Sequence, residues 1–206
     1  MEVFKVINTR RSVRKFKPDQ LDIKILTKIL EAGNLAPSAS NRQEWSFYVL
    51  DRSITNQIED LLVNAVIKRG EEVSEEVQRE AIADLPIPTE NNDKLEGLLI
   101  FFRRLGGAPA VIVVDTKYEE DSWLSFCNRL DAAAAVENIL LAAWAEGLGT
   151  CWMALPIKFS SAELKKLLDA PEDRELIAII PIGYPDHEPA MPPKKDLHSK
   201  VKWFGY

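Results

Sequence analysis

Residues 131–148 read DAAAAVENILLAAWAEGL, an alanine-rich helical stretch whose apolar side chains fall on nearly every face. A helix of that kind is buried, either in a protein core or in an interface between subunits. Gly147 and Gly149 end it, and the chain then enters TCWMAL (Thr150–Leu155), a weak strand candidate. Working outward, LIAIIPI (Leu176–Ile182) and AVIVV (Ala110–Val114, preceded by Pro109) are continuous apolar runs of strand length, and WSFYVL (Trp45–Leu50) is aromatic and partly β-branched ahead of Asp51. Ile23, Ile25, Leu26, Ile29 and Leu30 recur at mostly helical spacing, with Asp22 as N-cap and Gly33 as stop. Strands interleaved with helices point to α+β or α/β packing around one central sheet.

A chain of 206 residues, 46% hydrophobic and 28% charged, is long enough for one large domain and is globular in composition. That excludes a wholly disordered or collagen-like chain. Its 26 Lys and Arg against 32 Asp and Glu leave a net charge of −6. No global positive field draws it to nucleic acid or to an anionic membrane, so any anion site is local. Cys127 and Cys151 are too few for a disulfide framework or a four-thiolate metal centre and fit a reducing compartment. The opening MEVFKVINTRRSVRKF has no uninterrupted apolar core, and no run reaches the roughly 18 to 20 apolar residues that span a bilayer. The expectation is a cytoplasmic protein with no membrane partner. Between Ala65 and Asp93 the chain turns polar and acidic, with a break at Leu85-Pro86-Ile87-Pro88, and reads as a helical excursion followed by a loop. The tail after Gly183, rich in proline and basic residues, reads as an extended arm crossing this or another subunit.

Four constellations could carry chemistry. Arg10-Arg11-Ser12-Val13-Arg14-Lys15-Phe16-Lys17 is a cationic, hydroxyl-bearing cluster in an acidic chain. Guanidinium forks match phosphate oxygens bidentately, and Ser12 adds a donor; the competing reading is a solvated basic face. Ala36-Pro37-Ser38-Ala39-Ser40-Asn41-Arg42-Gln43 combines small residues, which let a ligand approach the backbone, with the amides of Asn41 and Gln43, which can read a heterocycle edge. It reads equally as an ordinary connection. Gly147 to Pro156 (GLGTCWMALP) could line a flat ring with backbone groups, or be a helix cap followed by a strand. Lys194-Lys195 sits in the proline-rich arm, where lysine pairs are usually solvated. Neither a G-x-G-x-x-G nor a P-loop motif occurs, and His187 and His198 both lie in the tail, so no histidine triad, metal site or Rossmann site is expected. An enzyme built this way relies on a bound organic cofactor for its reactive atom.

Taken in order, RRSVRKF at 10–16, APSASNRQ at 36–43, GAPAVIVV at 107–114, the DAAAAVENILLAA helix from Asp131, GLGTCW from Gly147 and IPIGYP at 180–185 resemble the FMN-dependent nitroreductase superfamily over nearly the whole chain. The resemblance implies an α+β fold, with a mostly antiparallel central sheet flanked by helices, in an intertwined homodimer with two FMN sites at the interface. It implies one domain over residues 1–206, with a variable helical or lid excursion at about 65–104 and a C-terminal arm at about 184–206. NADH or NADPH would deliver hydride to flavin N5, and nitroaromatics, quinones or similar small acceptors would be reduced by ping-pong turnover, with no catalytic side chain required. By the same resemblance, Arg10, Arg11, Ser12 and Arg14 surround the FMN phosphate, ribityl chain and pyrimidine edge, with Lys194 or Lys195 as a late phosphate partner. Pro37, Ser38, Ala39, Ser40 and Asn41 match the loop that reaches the flavin from the partner subunit, with Gln43 beside it. Trp152, Met153, Ala154 and Leu155 match the segment whose backbone lies against the ring near N5. Ala154-Leu155 stands here where other members carry Gly-Gly or Glu-Gly. Relatives with other flavin chemistry, such as reductive dehalogenation or metabolite dehydrogenation, and non-enzymatic FMN binders are the alternatives.

Overall fold

The computed structural model describes residues 2–83, 87 and 93–205, so the proline break at 85–88, apart from Ile87, lies outside the described residues. Four strands form one sheet: β1 (Trp45–Asp51), β2 (Ala110–Lys117), β3 (Gly149–Thr150) and β4 (Arg174–Gly183), in the spatial order β1-β2-β4-β3. Every pairing in it is antiparallel. The helices are α1 (Val3–Thr9), α2 (Ile23–Asn34), α3 (Arg52–Glu72), α4 (Glu75–Ile82), α5 (Lys94–Arg104), α6 (Ser122–Ala145) and α7 (Leu155–Leu167). This is an α+β fold with a four-stranded antiparallel sheet flanked by helices.

The two central strands are buried on both faces, which is why they read as continuous apolar runs. Along β2, Val111 and Val113 point into one core with Ile58 and Leu62 of α3, Phe101 and Phe102 of α5 and Leu164 of α7. Ala110, Ile112 and Val114 alternate into the other core, with Ile29 of α2 and Val136, Ile139 and Leu140 of α6. Fully burying side chains of this size stabilises by roughly 1.5–3 kcal/mol each.

The helix expected to begin at Asp131 begins nine residues earlier, because the Asp121 carboxylate accepts the Trp123 and Leu124 N–H groups (2.8 and 3.1 Å) and caps it there. Gly147, at φ +80°, ends it in the left-handed conformation that favours glycine. Gly33 does not stop α2, which runs through it to Asn34. A Cβ at Gly33 would lie 2.7 Å from the Ile139 side chain, so the glycine permits the close approach of α2 to α6. The strand expected over Thr150–Leu155 is also corrected. Only Gly149 and Thr150 pair as a strand, Met153 makes one isolated bridge to Ile179, and Leu155 opens α7. Pro156, which lacks an N–H, fits the first helical turn.

At the far end of the central pair the register slips between Val114 and Asp115. The Asp115 carboxylate, fully buried, accepts from Arg174 Nη2 (2.6 Å), the Tyr48 hydroxyl (2.8 Å) and the Ser46 N–H (3.1 Å). Burial, followed by that hydrogen bond and the Asp115 charge, pushes the Tyr48 hydroxyl up to about 12. Arg174→Met leaves a buried carboxylate uncompensated and is expected to cost about 3 kcal/mol or more in urea denaturation. Adding Asp115→Asn to Arg174→Met should recover part of that loss.

Candidate active site

The basic cluster is sewn onto the sheet edge by backbone. The Trp144 indole donates to Thr9 Oγ1 (2.9 Å) and pins the end of α1 to α6. The chain then extends, Ser12 pairs in parallel with Thr150, Val13 N donates to the Thr150 carbonyl (2.8 Å), and Phe16 N donates to the Gly106 carbonyl (2.9 Å). Two glycines make room. A Cβ on Gly149 would meet Val13 Cγ2 at 2.4 Å, and one on Gly106, at φ +64°, would meet the Arg14 carbonyl at 2.3 Å.

This threading gives the three arginines of the cluster different fates. Arg11 turns back onto its own helix end and donates to the carbonyls of Asn8 (2.9 Å) and Arg10 (2.7 Å). Arg10 holds one long ion pair, 3.6 Å from Glu137 of α6. Arg14 makes no side-chain hydrogen bond or ion pair with any described residue, and its Nη1 is buried. Arg42 and Arg174 also each bury an unpartnered Nε, but both hold carboxylates through Nη2. Arg14 alone of these three pairs with no carboxylate among the described residues. Cys151 lies within reach of these charges: burial pushes its thiol up, while Arg14 and then Arg10 pull the other way. Beyond it, Trp152 and Ala154 are exposed, Met153 is buried and Leu155 is half-buried, and this segment leaves β3 at Thr150, where Ser12 bridges.

The Ala36–Gln43 loop stands at the opposite edge and opposite end of the sheet, where Trp45 pairs with Thr116. Ser40, Asn41 and Gln43 all have positive φ (53°, 56° and 52°), a region that costs non-glycine residues of order 1–3 kcal/mol each. Pro37, Ser40, Asn41 and Gln43 are exposed, and Ser38 and Ala39 are half-buried. No hydrogen bond or ion pair joins this loop to Arg10–Arg14 among the described residues. Lys194 and Lys195 lie exposed on the arm, and among the described residues no hydrogen bond or ion pair joins them to the cluster either.

Three residues that shape the site were not singled out from sequence: Asp131, Glu137 and Trp144 all project from α6 toward partners 92 to 135 residues away in the chain. No local pattern marks such partners. Around them the surface is apolar. Val3, Phe4 and Ile7 of α1 and Leu35 are more than half exposed, and a groove of about 380 Å³ runs between α1, Leu35 and the Leu141–Ala145 end of α6. No helix among the described residues is long and apolar enough to cross a membrane.

The family model described as Nitroreductase family matches residues 7–184. The chain belongs to the nitroreductase family. A relative from Archaeoglobus fulgidus, provisionally named an NADH dehydrogenase/NAD(P)H nitroreductase, is 31% identical over 194 residues, covering 91% of this chain and 87% of its own. Among solved structures, an oxidised iodotyrosine deiodinase bound to FMN and 3-iodo-L-tyrosine aligns over 100% of both chains, at a TM-score of 0.79 and 23% identity. The nitroreductase NfnB of Mycobacterium smegmatis in complex with NADPH aligns over 98% of this chain and 97% of its own, at a TM-score of 0.76 and 24% identity. At those identities the two structures establish the fold. The family relatives support an oxidoreductase enzyme.

In this nitroreductase-family chain the Val13–Gly149 contact sets the position of the cluster, and it can be broken without touching a charge. Gly149→Ala is expected to destabilise by about 1–3 kcal/mol, as overpacking does, measured as a lowered urea midpoint at unchanged slope.

Proposed function

We propose that this protein is an FMN-dependent oxidoreductase, a homodimer with two composite sites, that takes hydride from NADH or NADPH and reduces nitroaromatics, quinones or similar small acceptors by ping-pong turnover. The observation that carries the reading is Arg14, a guanidinium with a buried Nη1 and no anion, fixed beside Arg10 and Ser12 on the edge of the sheet. A phosphate monoester is the ligand fragment that two guanidinium forks and a hydroxyl hold best. The apolar, partly exposed Trp152–Leu155 segment beside them suits a flat ring. The exposed amides of Asn41 and Gln43 suit its polar edge. FMN has all three parts, and two like-folded proteins, one bound to FMN and one to NADPH, agree with it.

FMN, when bound, supplies hydride acceptance at N5 and onward electron delivery, so no protein nucleophile is needed. Arg10, Ser12 and Arg14 would hold and neutralise the phosphate, and the Trp152–Leu155 backbone would lie along the ring. Arg11, with its donors already turned to Asn8 and Arg10, would act mainly through its charge. The separation of the Ser38–Gln43 loop from the cluster within one chain, and the exposed apolar surface on α1 and α6, both favour a loop that completes the site of a second copy.

FMN titrated into apo variants is expected to bind roughly 10- to 100-fold more weakly to Arg10→Ala and Arg14→Ala, the worth of charge-assisted hydrogen bonds. Lys195→Ala, on a mobile point charge, should lose less. Riboflavin, without the phosphate, and FAD, a diester, should raise the melting temperature far less than FMN at equal concentration. Equal shifts for the three flavins would remove the phosphate site. Anaerobic bleaching of the bound flavin by NADH or NADPH, followed by steady turnover with a nitroaromatic, tests the reaction. Bleaching without turnover would leave an FMN protein of different chemistry.

Mixed dimers test the composite site. Pairing an Arg14→Ala chain with an Asn41→Ala/Gln43→Ala chain should yield one site of wild-type affinity per dimer, with both lesions gathered in the other. If each loop serves its own chain, no wild-type site appears.

A further inference from the structure

The Ser38–Gln43 loop is held in a strained shape with Ser40, Asn41 and Gln43 exposed, partly by bonds within it and partly by contacts from outside it. At its far end the Glu44 carbonyl accepts three donors: Lys117 N (3.1 Å), Arg174 Nη2 (2.8 Å) and Thr116 Oγ1 (3.3 Å). Through Arg174, that end is tied to the buried Asp115. Inside the loop, Gln43 N donates to Ser38 Oγ (3.1 Å), and the Gln43 amide donates to Asn41 Oδ1 (2.8 Å) and to the Asn41 carbonyl (3.2 Å). At the near end one contact reaches out of the loop: Ala39 N donates to Asp131 Oδ2 (3.0 Å), from α6.

We propose that Asp131 is a positioning residue, whose carboxylate, by accepting the Ala39 N–H, fixes the loop in the conformation that presents Ser40, Asn41 and Gln43 to the flavin. This rests on the reading of the site given above. A loop with three non-glycine residues at positive φ relaxes to ordinary backbone angles unless both ends are held. The far end is held by the three donors to the Glu44 carbonyl and by the Arg42–Glu119 ion pair (2.7 Å), whereas past the packing of Ala36 the Ala39 end has one hydrogen bond out of the loop. What the loop needs from residue 131 is therefore an acceptor at that point, which an amide oxygen also provides, through a weaker neutral hydrogen bond.

The requirement separates two substitutions. Asp131→Ala removes the acceptor; Asp131→Asn keeps it and removes the charge. The wild-type, Asp131→Ala and Asp131→Asn proteins are compared by FMN titration and by hydrogen exchange of the 37–43 peptide without flavin. Asp131→Ala is expected to bind FMN about tenfold more weakly, as the loss of one hydrogen bond implies, and to lose exchange protection in the loop, while Asp131→Asn keeps both near wild type. Should Asp131→Ala fail to fold, Ala39→Pro deletes the donor from the loop side and is expected to show the same two losses.

Wild-type affinity and protection in Asp131→Ala or Ala39→Pro would overturn the proposal. So would losses in Asp131→Asn as large as in Asp131→Ala, since charge and not acceptance would then be what matters. A wild-type protein that binds no FMN would instead remove the reading of the site, and the loop exchange data would still report on the clamp.

Discussion

The contact between Val13 and Gly149 is the constraint on which the site depends. Only a residue without a Cβ lets the Val13 side chain lie against the β3 backbone, and only that approach allows Ser12 to pair with Thr150 and Val13 N to reach the Thr150 carbonyl. Without the seam, Arg10–Lys17 would be a solvated stretch whose like charges spread apart. With it, Arg10 and Arg14 are held near each other and near a buried thiol, against their mutual repulsion. Glu137 offsets part of that repulsion at Arg10, and two carbonyls engage Arg11. Arg14 is left with no carboxylate among the described residues.

The same logic explains why α6 is so rich in alanine. Its small residues let α2, the sheet and the loop entry at Ala36 and Trp45 pack against it, with Ala132 and Ala135 buried beside them. Its larger apolar residues, Val136, Ile139 and Leu140, fill the core against β2 and β4. The polar residues it carries in between are spaced along the helix so that each serves a different element. Asp131 meets the loop, Glu137 meets Arg10, and Trp144 meets the end of α1. One helix thus fixes both halves of the proposed composite site. A shift of α6 would move both together.

What could be read from the sequence follows from the range of the interactions involved. β1, β2 and β4 were legible because strands buried on one or both faces leave their signature in consecutive residues. β3 was not, since two residues carry no period, and its identity comes from pairing with Gly183 and Ile182 on β4. Gly33 reads as a stop because glycine usually is one; its role is set by Ile139, 106 residues away. The start of α7 at Leu155, within an apolar run, is decided by Pro156 and by core packing of Leu164 rather than by local preference. Arg10–Arg14 and the Ala36–Gln43 loop stood out as local motifs. Which arginine is free, and what holds the loop, depend on partners that no window of sequence contains.

Two arginines at opposite ends of the sheet show how the same group comes to serve opposite ends. Arg174 is nearly enclosed and meets a carboxylate with no solvent exposure, and its Nη2 also ties down a hydroxyl and the Glu44 carbonyl. Burial alone would lower its affinity for the proton, but the Asp115 hydrogen bond and charge outweigh that and hold it further on the charged side. Its charge is answered within the chain by Asp115, although its Nε stays unpartnered, so it stabilises the fold. Arg14 is enclosed at Nη1 and answered by nothing among the described residues. An unpartnered buried donor on a charged group costs about 1–3 kcal/mol or more, a cost the fold carries until an acceptor arrives. An anion that supplies the missing acceptor therefore gains twice, from its own contact and from the relief of a penalty already present in the free protein. In the proposed site, that would place the strongest part of the binding energy at the cationic end and leave the ring to weaker contacts.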